Sequence, residues 1–470
     1  MTRTVIRSGA RTADAIIIGA GVIGAATAFE MAKQGWKTLS VDRNTQAGHG
    51  STAGSCAIIR MHYSTLDGTA FAWEGYHYWR DWAEYLEAHD PNGLARFRET
   101  GCLVMKTAQN GYLAKHIENS RVLGCPFEEW DAEQITRRLP VYDLTGYFPP
   151  KRMDDAGFGE PTGGAVTGAV FWPNGGYVTD PALSAQNLAH AATAKGAEFL
   201  LGATVTEILQ AGGRVKGVKL ADGGELHAPV VINVAGPASS RINAIAGVLD
   251  DMTIKTRALR QEVVHVPAPE GFDFERDGLI VSDGDIGCYC RPEHGNNILI
   301  GSEDPPCDPQ VWVEDDTDYD RDFTDQWQTQ AMRYGQRVPS LGIPEDARGG
   351  RPLRRLGRLD PDLRPLAARR LLHGLRDQRQ PVQDRPDRRQ DDGGLGGLLR
   401  GRGRPRRGAV ALHPALSRAR DRRRVLLAQA RDQRGVELFG VGVRGTGLRA
   451  PFPAPVARVS THPTSPARAG

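Results

Sequence analysis

Gly19, Gly21 and Gly24 stand in G-x-G-x-x-G spacing directly after the apolar run Ala15-Ile-Ile-Ile18, and Asp42 follows at the tip of a second apolar stretch. Those residue types in that order can hold a dinucleotide. Gly19 makes the tight turn, and Gly21 lets the backbone approach a pyrophosphate. Gly24 lets the next helix pack close to the strand. Val22 and Ile23 belong to the same turn, whose helix N-terminus faces the negative phosphates. Asp42, about 20 residues on, is placed to accept hydrogen bonds from a ribose, with Arg43 beside it. Three elements must position these groups. Ala15 to Ile18 reads as a buried parallel strand. Ala25 to Gly35 reads as a helix stopped by Gly35, and Trp36 to Val41 as a second strand.

The segment Gly48-His-Gly-Ser-Thr-Ala-Gly-Ser-Cys-Ala-Ile-Ile-Arg60-Met-His-Tyr63 is rich in Gly, Ser and Thr. Its Gly50, Ser51 and Thr52 suit a second set of contacts to phosphate and flavin. At this point the chain resembles the FAD-dependent oxidoreductases of the D-amino acid oxidase family, which includes glycine oxidase, sarcosine oxidase and dimethylglycine dehydrogenase. Three more segments carry the resemblance. Thr100-Gly-Cys-Leu-Val-Met-Lys106 looks like the family's first substrate-domain strand. Trp172-Pro-Asn-Gly-Gly-Tyr-Val-Thr-Asp-Pro181 looks like its entry to a long helix. Thr204 to Glu207, with Val205, and Val230-Val-Ile-Asn-Val-Ala-Gly236, with Ala235 and Gly236 at its end, look like a second FAD-contacting block.

The resemblance covers about Asp14 to Ile343. It implies FAD as cofactor and an α/β fold: an FAD-binding Rossmann-like domain interleaved with an α+β substrate domain built on an antiparallel sheet. Residues 12–94 and 172–245 would form the first, and 95–171 and 246–343 the second. Further strands are expected at Gln261–Val266, Gly278–Ser282, Gly287–Arg291 and Asn297–Gly301, with Glu198–Leu220 as a hairpin. The series Trp73, Tyr76, Tyr78, Trp79, Trp82 and Tyr85 reads as a helix packed on the core, the alternative being a nucleobase-stacking platform.

The family oxidises a C–N bond of an amino acid or secondary amine. A hydride equivalent passes to flavin N5, and the imine hydrolyses in water. The cofactor carries the redox chemistry, while the protein positions substrate and tunes charge. Dioxygen or an electron-transfer protein would take the electrons. A substrate carboxylate needs a fixed cation, and Arg offers bidentate geometry. Arg60 resembles the second Arg of the R-I-I-R-x-x-Y segment of sarcosine oxidase, with Ala57 at the first position; the alternative is a structural ion pair. Tyr289 and Arg291, two apart on a strand, face one side. In the family's amino-acid oxidases a Tyr and an Arg from this domain grip the carboxylate; the alternative is an exposed Arg beside a core Tyr. His49, His62 and Cys56 are possible flavin attachment points, but none sits in a matching motif. Two other functions compete: a flavin enzyme acting on a 2-hydroxy acid or polyol, and an inactive product that cannot retain flavin.

With 470 residues the chain is long enough for two domains. Its formal charge of +3 does not call for nucleic acid. The Ala15–Ala28 stretch is too short and Gly-rich to span a bilayer, and it is not read as a signal peptide, since no cleavage motif follows and its glycines serve the turn. The six cysteines, at 56, 102, 125, 288, 290 and 307, contain no C-x-x-C pair, so no metal site is expected. Buried reduced thiols in a cytoplasmic protein fit that pattern.

From about Gly350 the chain changes character. Lys, Ile, Asn, Met, Tyr, Trp and Cys are absent after it, although they make up about one residue in five of ordinary protein. A basic nucleic-acid arm and an oddly composed domain are two explanations. The third is translation in the wrong frame of a GC-rich gene. Taking the last two bases of each codon with the first of the next, Arg351–Leu356 admits G-L-Y-D-V and Leu359–Leu363 admits W-I-P-I. Leu371–Pro386 then admits F-Y-M-A-C-G-T-S-G-N-Q-F-K-T-A. These strings look like the family's C-terminal FAD block, in order, so residues 350–470 are read as an out-of-frame tail.

Overall fold

A computed structural model describes residues 11–107, 110–314 and 322–343, together with the backbone of the strand Leu371–His373. The remainder of the 350–470 tail lies outside the described residues, and so does the frame-shift assignment made for it.

The first layer is a four-stranded, all-parallel sheet in the order Glu198–Leu201, Thr38–Asp42, Ala15–Ile18, Val230–Asn233. Its strands come from two distant stretches of chain. Ile16, Ile18, Leu39, Val41, Leu200 and Val231 are buried against Val205, Ile208, Val218, Leu220 and Leu226 of an antiparallel meander. That apolar contact drives the two sheets together, since burial stabilises by about 25 cal/mol per Å² of apolar surface. The helices Val22–Lys33 and Pro181–Ala194 pack on each other, and both bury alanines: Ala25, Ala28 and Ala32 of the first, Ala185, Ala191 and Ala192 of the second. Small side chains permit that close approach. The first helix begins at Val22, three residues before the expected Ala25, because the turn at Gly19–Gly21 leads straight into it. The expected Glu198–Leu220 hairpin is also shorter. Glu198–Leu201 joins the parallel sheet, and only Val205–Ala211 with Arg214–Leu220 forms the hairpin.

The second layer is a seven-stranded sheet ordered Val263–Pro267, Asn297–Ser302, Cys288–Glu293, Ile280–Asp283, Cys102–Met105, Gly168–Trp172, Glu128–Asp131. All neighbours are antiparallel except Ile280–Asp283 with Cys102–Met105. Alternation gives it two faces. On one, Leu103, Met105, Val281, Cys288, Cys290, Ile298 and Ile300 pack with Trp327, Ala331 and Tyr334 of the helix Asp325–Arg337. Cys288 and Cys290 are thus buried free thiols, and Tyr334 donates to Cys290 Sγ at 2.7 Å. The same helix carries buried arginines. Arg333 pairs with Asp308 at 2.6 Å, and Arg337 bridges Asp283 at 2.6 Å and Asp285 at 2.9 Å. On the other face, Cys102, Val104, Val170, Trp172 and Ile280 pack with Met61, Tyr76 and Tyr177.

A small sheet lies on that second face: Ile58–Ile59 and Phe97–Arg98, each antiparallel to Gly176–Val178. The aromatic helix is broken at Asp81 into Leu66–Arg80 and Trp82–Leu86. Only Thr69 and Tyr76 of the longer piece are buried, so much of its aromatic surface is not core. Among the described residues, no helix is long and apolar enough to cross a membrane.

Candidate functional site

A cavity of about 790 Å³ opens at the carboxyl ends of the parallel strands, where ligands bind in open α/β sheets. Gly19, Gly21, Val22 and Ile23 line it from the first turn, and Asp42 and Arg43 from the second strand. Gly50, Ser51 and Thr52 come from the Gly/Ser loop, and Val205, Ala235 and Gly236 from the later block. Gly24 is the exception. It is buried beneath the turn, where a Cβ would lie 1.9 Å from the Gly19 carbonyl oxygen. Gly24 therefore permits helix–strand contact and does not line the cavity. Gly19 adopts φ +111°, in the left-handed region that disfavours any side chain.

Local hydrogen bonds hold the lining in place. Asp42 accepts from the Ala20 amide at 2.7 Å through Oδ2 and from the Asn44 amide at 2.8 Å through Oδ1. Its carboxylate is thus oriented across the turn. Thr52 Oγ1 accepts from the Val22 amide at 3.1 Å, tying the Gly/Ser loop to the helix start. The helix N-cap is Gly21, which offers no side-chain cap. The positive end of this helix beside the cavity favours an anion.

The far wall is the segment Ser55, Ala57, Ile58 and Ile59, with Val178. Ala57 has φ +51°, a strained value for a residue with a side chain. Ser55 Oγ accepts from the Ala57 amide at 2.9 Å, and the Ala57 carbonyl accepts from the Val178 amide at 3.0 Å. Behind this wall lie the residues considered for chemistry. Tyr289 places its hydroxyl 3.3 Å from Cys56 Sγ. Burial pushes the Cys56 thiol and the Tyr289 hydroxyl above their ordinary pKa values, so both stay protonated. Arg291 is 2 % exposed, not exposed as one alternative had it. Its Nη2 donates to Glu293 at 2.8 Å and its Nη1 to the Pro292 carbonyl at 2.7 Å, and its guanidinium lies 4.4 Å from the Tyr177 ring centre. Arg60 stacks over Tyr63 at 4.4 Å. None of Arg60, Tyr289 and Arg291 lines the cavity, and neither do His49, Cys56 and His62.

The family model described as FAD dependent oxidoreductase matches residues 14–382. The chain belongs to that family. Its curated relatives include glycine oxidase of Geobacillus kaustophilus, 25% identical over 301 residues, covering 62% of this chain and 70% of the relative. Another is the bifunctional protein of tRNA 5-methylaminomethyl-2-thiouridine biosynthesis of Pseudomonas entomophila, 23% identical over 297 residues. This match covers 62% of the chain but only 38% of that longer protein. Among solved structures, L-proline dehydrogenase from P. horikoshii superposes with a TM-score of 0.56 at 19% identity, over 70% of this chain and 78% of that one.

The residues present fit FAD. The volume falls within the roughly 300–1,000 Å³ of small-molecule sites. Three lining glycines leave room that side chains would take: a Cβ at Gly21, Gly50 or Gly236 would meet a single side-chain atom, at 3.0, 3.7 and 3.5 Å respectively. Gly21 and the helix start would meet the diphosphate, Asp42 the ribose, and the Ser55–Ile59 wall the flavin end.

Several lining residues were not among the expected cofactor contacts, including Asn44, Trp79, Ser184, Ala203 and Arg241. Trp79 was assigned to core packing, yet it stacks on Trp82 at 4.6 Å and also borders the cavity. Arg241 sits on the short helix Ser239–Ile245 just past Gly236. A strand ending in Gly and followed at once by a helix was the available signal.

Proposed function

We propose that this protein oxidises a C–N bond of an amino acid or secondary amine with FAD as acceptor. One observation carries the proposal: the glycine-lined cleft ends at a wall, Ser55–Ile59, that packs directly on the seven-stranded sheet. That arrangement supports a flavin end lying beside a second layer able to carry a substrate. The names of the relatives support an amino acid or amine, since glycine oxidase and L-proline dehydrogenase both act on such C–N bonds. FAD, which Gly21, the helix start and Asp42 would hold in the cleft, would supply the two-electron acceptor for the C–N bond's hydride equivalent, and the imine product would hydrolyse in water. The chain's own part is to seat the cofactor, exclude water behind the Cys56–Tyr289 layer, and present the substrate. Residues 12–94 with 172–245 are proposed as the FAD-binding domain, and 95–171 with 246–343 as the substrate domain. Dioxygen or an electron-transfer protein is the proposed final acceptor.

The test is anaerobic mixing of purified protein with glycine, sarcosine, D-amino acids, L-proline, 2-hydroxy acids and polyols. Loss of the visible flavin absorption with amines alone is the expected result. Bleaching by hydroxy acids or polyols alone, or a protein that takes up no flavin, overturns the proposal.

A further inference from the structure

Tyr289 is seated in an unusual way. Its strand neighbour is Gly301, and a Cβ on Gly301 would fall 2.3 Å from Tyr289 Cζ and 2.4 Å from its hydroxyl. The phenol ring therefore lies flat across the neighbouring strand, in space that any other residue would occupy. That placement carries the hydroxyl to Cys56 Sγ at 3.3 Å, across 233 positions of sequence. Cys56 is one residue from the left-handed Ala57 on the cavity wall. Two residues further along the same strand, Arg291 stacks on Tyr177 at 4.4 Å. Tyr177 pairs with Ile58 of the same wall. The two contacts tie the seven-stranded sheet to Cys56, beside the wall, and to the strand Gly176–Val178 that pairs with it.

We propose that Tyr289 is a positioning residue, which through the Cys56 thiol holds the Ala57 turn against the FAD cleft. The inference rests on FAD binding in the cleft. Physically, a φ of +51° at Ala57 persists only if the surroundings over-determine it. The Ser55 and Val178 hydrogen bonds supply two restraints, and the Tyr289 latch supplies the third from the other layer. Released, the turn can relax toward ordinary backbone, and the wall shifts relative to bound cofactor. The geometry assigns Tyr289 a task that needs no contact with substrate.

The test uses the full-length protein and four variants: Tyr289→Phe, Cys56→Ala, Cys56→Ser and Gly301→Ala. Two quantities are read: the rate of iodoacetamide labelling at each cysteine by peptide mass spectrometry, and FAD affinity with the shape of its visible absorption. Tyr289→Phe and Gly301→Ala are expected to speed labelling of Cys56 about tenfold, with the other five cysteines unchanged. Tyr289→Phe and Cys56→Ala should each weaken FAD binding by up to about tenfold, the factor set by one buried hydrogen bond. Their double variant should be no weaker than either alone. Cys56→Ser, which keeps a donor and acceptor, should restore wild-type affinity and absorption. Unchanged Cys56 labelling, unchanged FAD affinity and absorption, or strictly additive losses would each overturn the inference. A general packing role would lower thermal stability and leave the flavin absorption alone. Failure of every amine to reduce the flavin, with the latch results intact, would sink the proposed function and leave this inference standing. A wild-type protein without FAD affinity would sink both.

Discussion

Replacing Gly24 by Ala adds one methyl group at the tightest point of the dinucleotide turn. The new Cβ would lie 1.9 Å from the Gly19 carbonyl oxygen, 2.8 Å from its carbon and 3.3 Å from Val234 Cγ2. An ordinary C···O approach is about 3.3 Å, so helix and turn must part by roughly 1.4 Å. The turn cannot retreat easily. Gly19 is itself pressed against the 234–235 backbone, where even its own Cβ would fall 2.4 Å from the Val234 oxygen. Backbone meets backbone, and no flexible side chain is available to yield. The cost belongs at the upper end of overpacking, about 3 kcal/mol. At roughly 2–4 °C per kcal/mol for a domain of this size, the loss of Tm is about 6–12 °C. Gly21→Ala is the control. Its Cβ would touch only Thr52 Oγ1, at 3.0 Å, while standing on the cavity wall. It should melt within about 2 °C of wild type yet hold FAD more weakly, since the methyl occupies ligand space. Differential scanning fluorimetry with and without FAD separates the two. A Gly24→Ala protein that melts with wild type and retains FAD would refute the close-packing account of the turn.

Other consequences are equally direct. Ala57→Gly removes the side chain from a left-handed position, worth about 1–2 kcal/mol, against about 0.5–1 kcal/mol of added chain entropy. A small rise in Tm is expected, and a fall would contradict the strain assigned to Ala57. Arg337→Met strips the partner from Asp283 and Asp285, which are 0% and 6% exposed; leaving buried charge unpaired should cost about 3–5 kcal/mol by urea titration. Burial lowers the His265 pKa below its ordinary value, with Glu293 opposing and Arg291 reinforcing the shift. The folded state thus binds that proton less readily than the unfolded chain. Its contribution is complete above about pH 6.5 and is lost as pH falls through the depressed folded value. His265→Gln should flatten the decline in Tm between about pH 7.5 and 5.5, and an unchanged slope would show that other groups set it.

Much of the cofactor site was legible from the chain, because its signals are local. Gly19, Gly21, Gly24 and Asp42 lie within one strand–turn–helix–strand unit. There, conformational need and residue type coincide: a left-handed turn, a close approach, an acid at a strand tip. Gly50, Ser51 and Thr52, and later Ala235 and Gly236, carry the same kind of signal. The second layer was less legible. The helix Asp325–Arg337 is buried although it carries Gln328, Gln330, Arg333 and Arg337, so composition argues for a surface helix. Its arginines are buried because Asp283, Asp285 and Asp308, distant in sequence, meet them.

What the sequence alone determined, then, is the dinucleotide turn and the cofactor class, since each depends on residues a few positions apart. The tertiary structure decided the tasks of Tyr289 and Arg291. Strand alternation put them on one face, but only register set Tyr289 over Gly301 and turned both side chains toward the cleft wall. Only the packing of two layers brought Cys56 and Tyr177 to them. A side chain's task depends on its partners, and partners more than a hundred residues apart are chosen by register and packing, which local residue patterns do not encode.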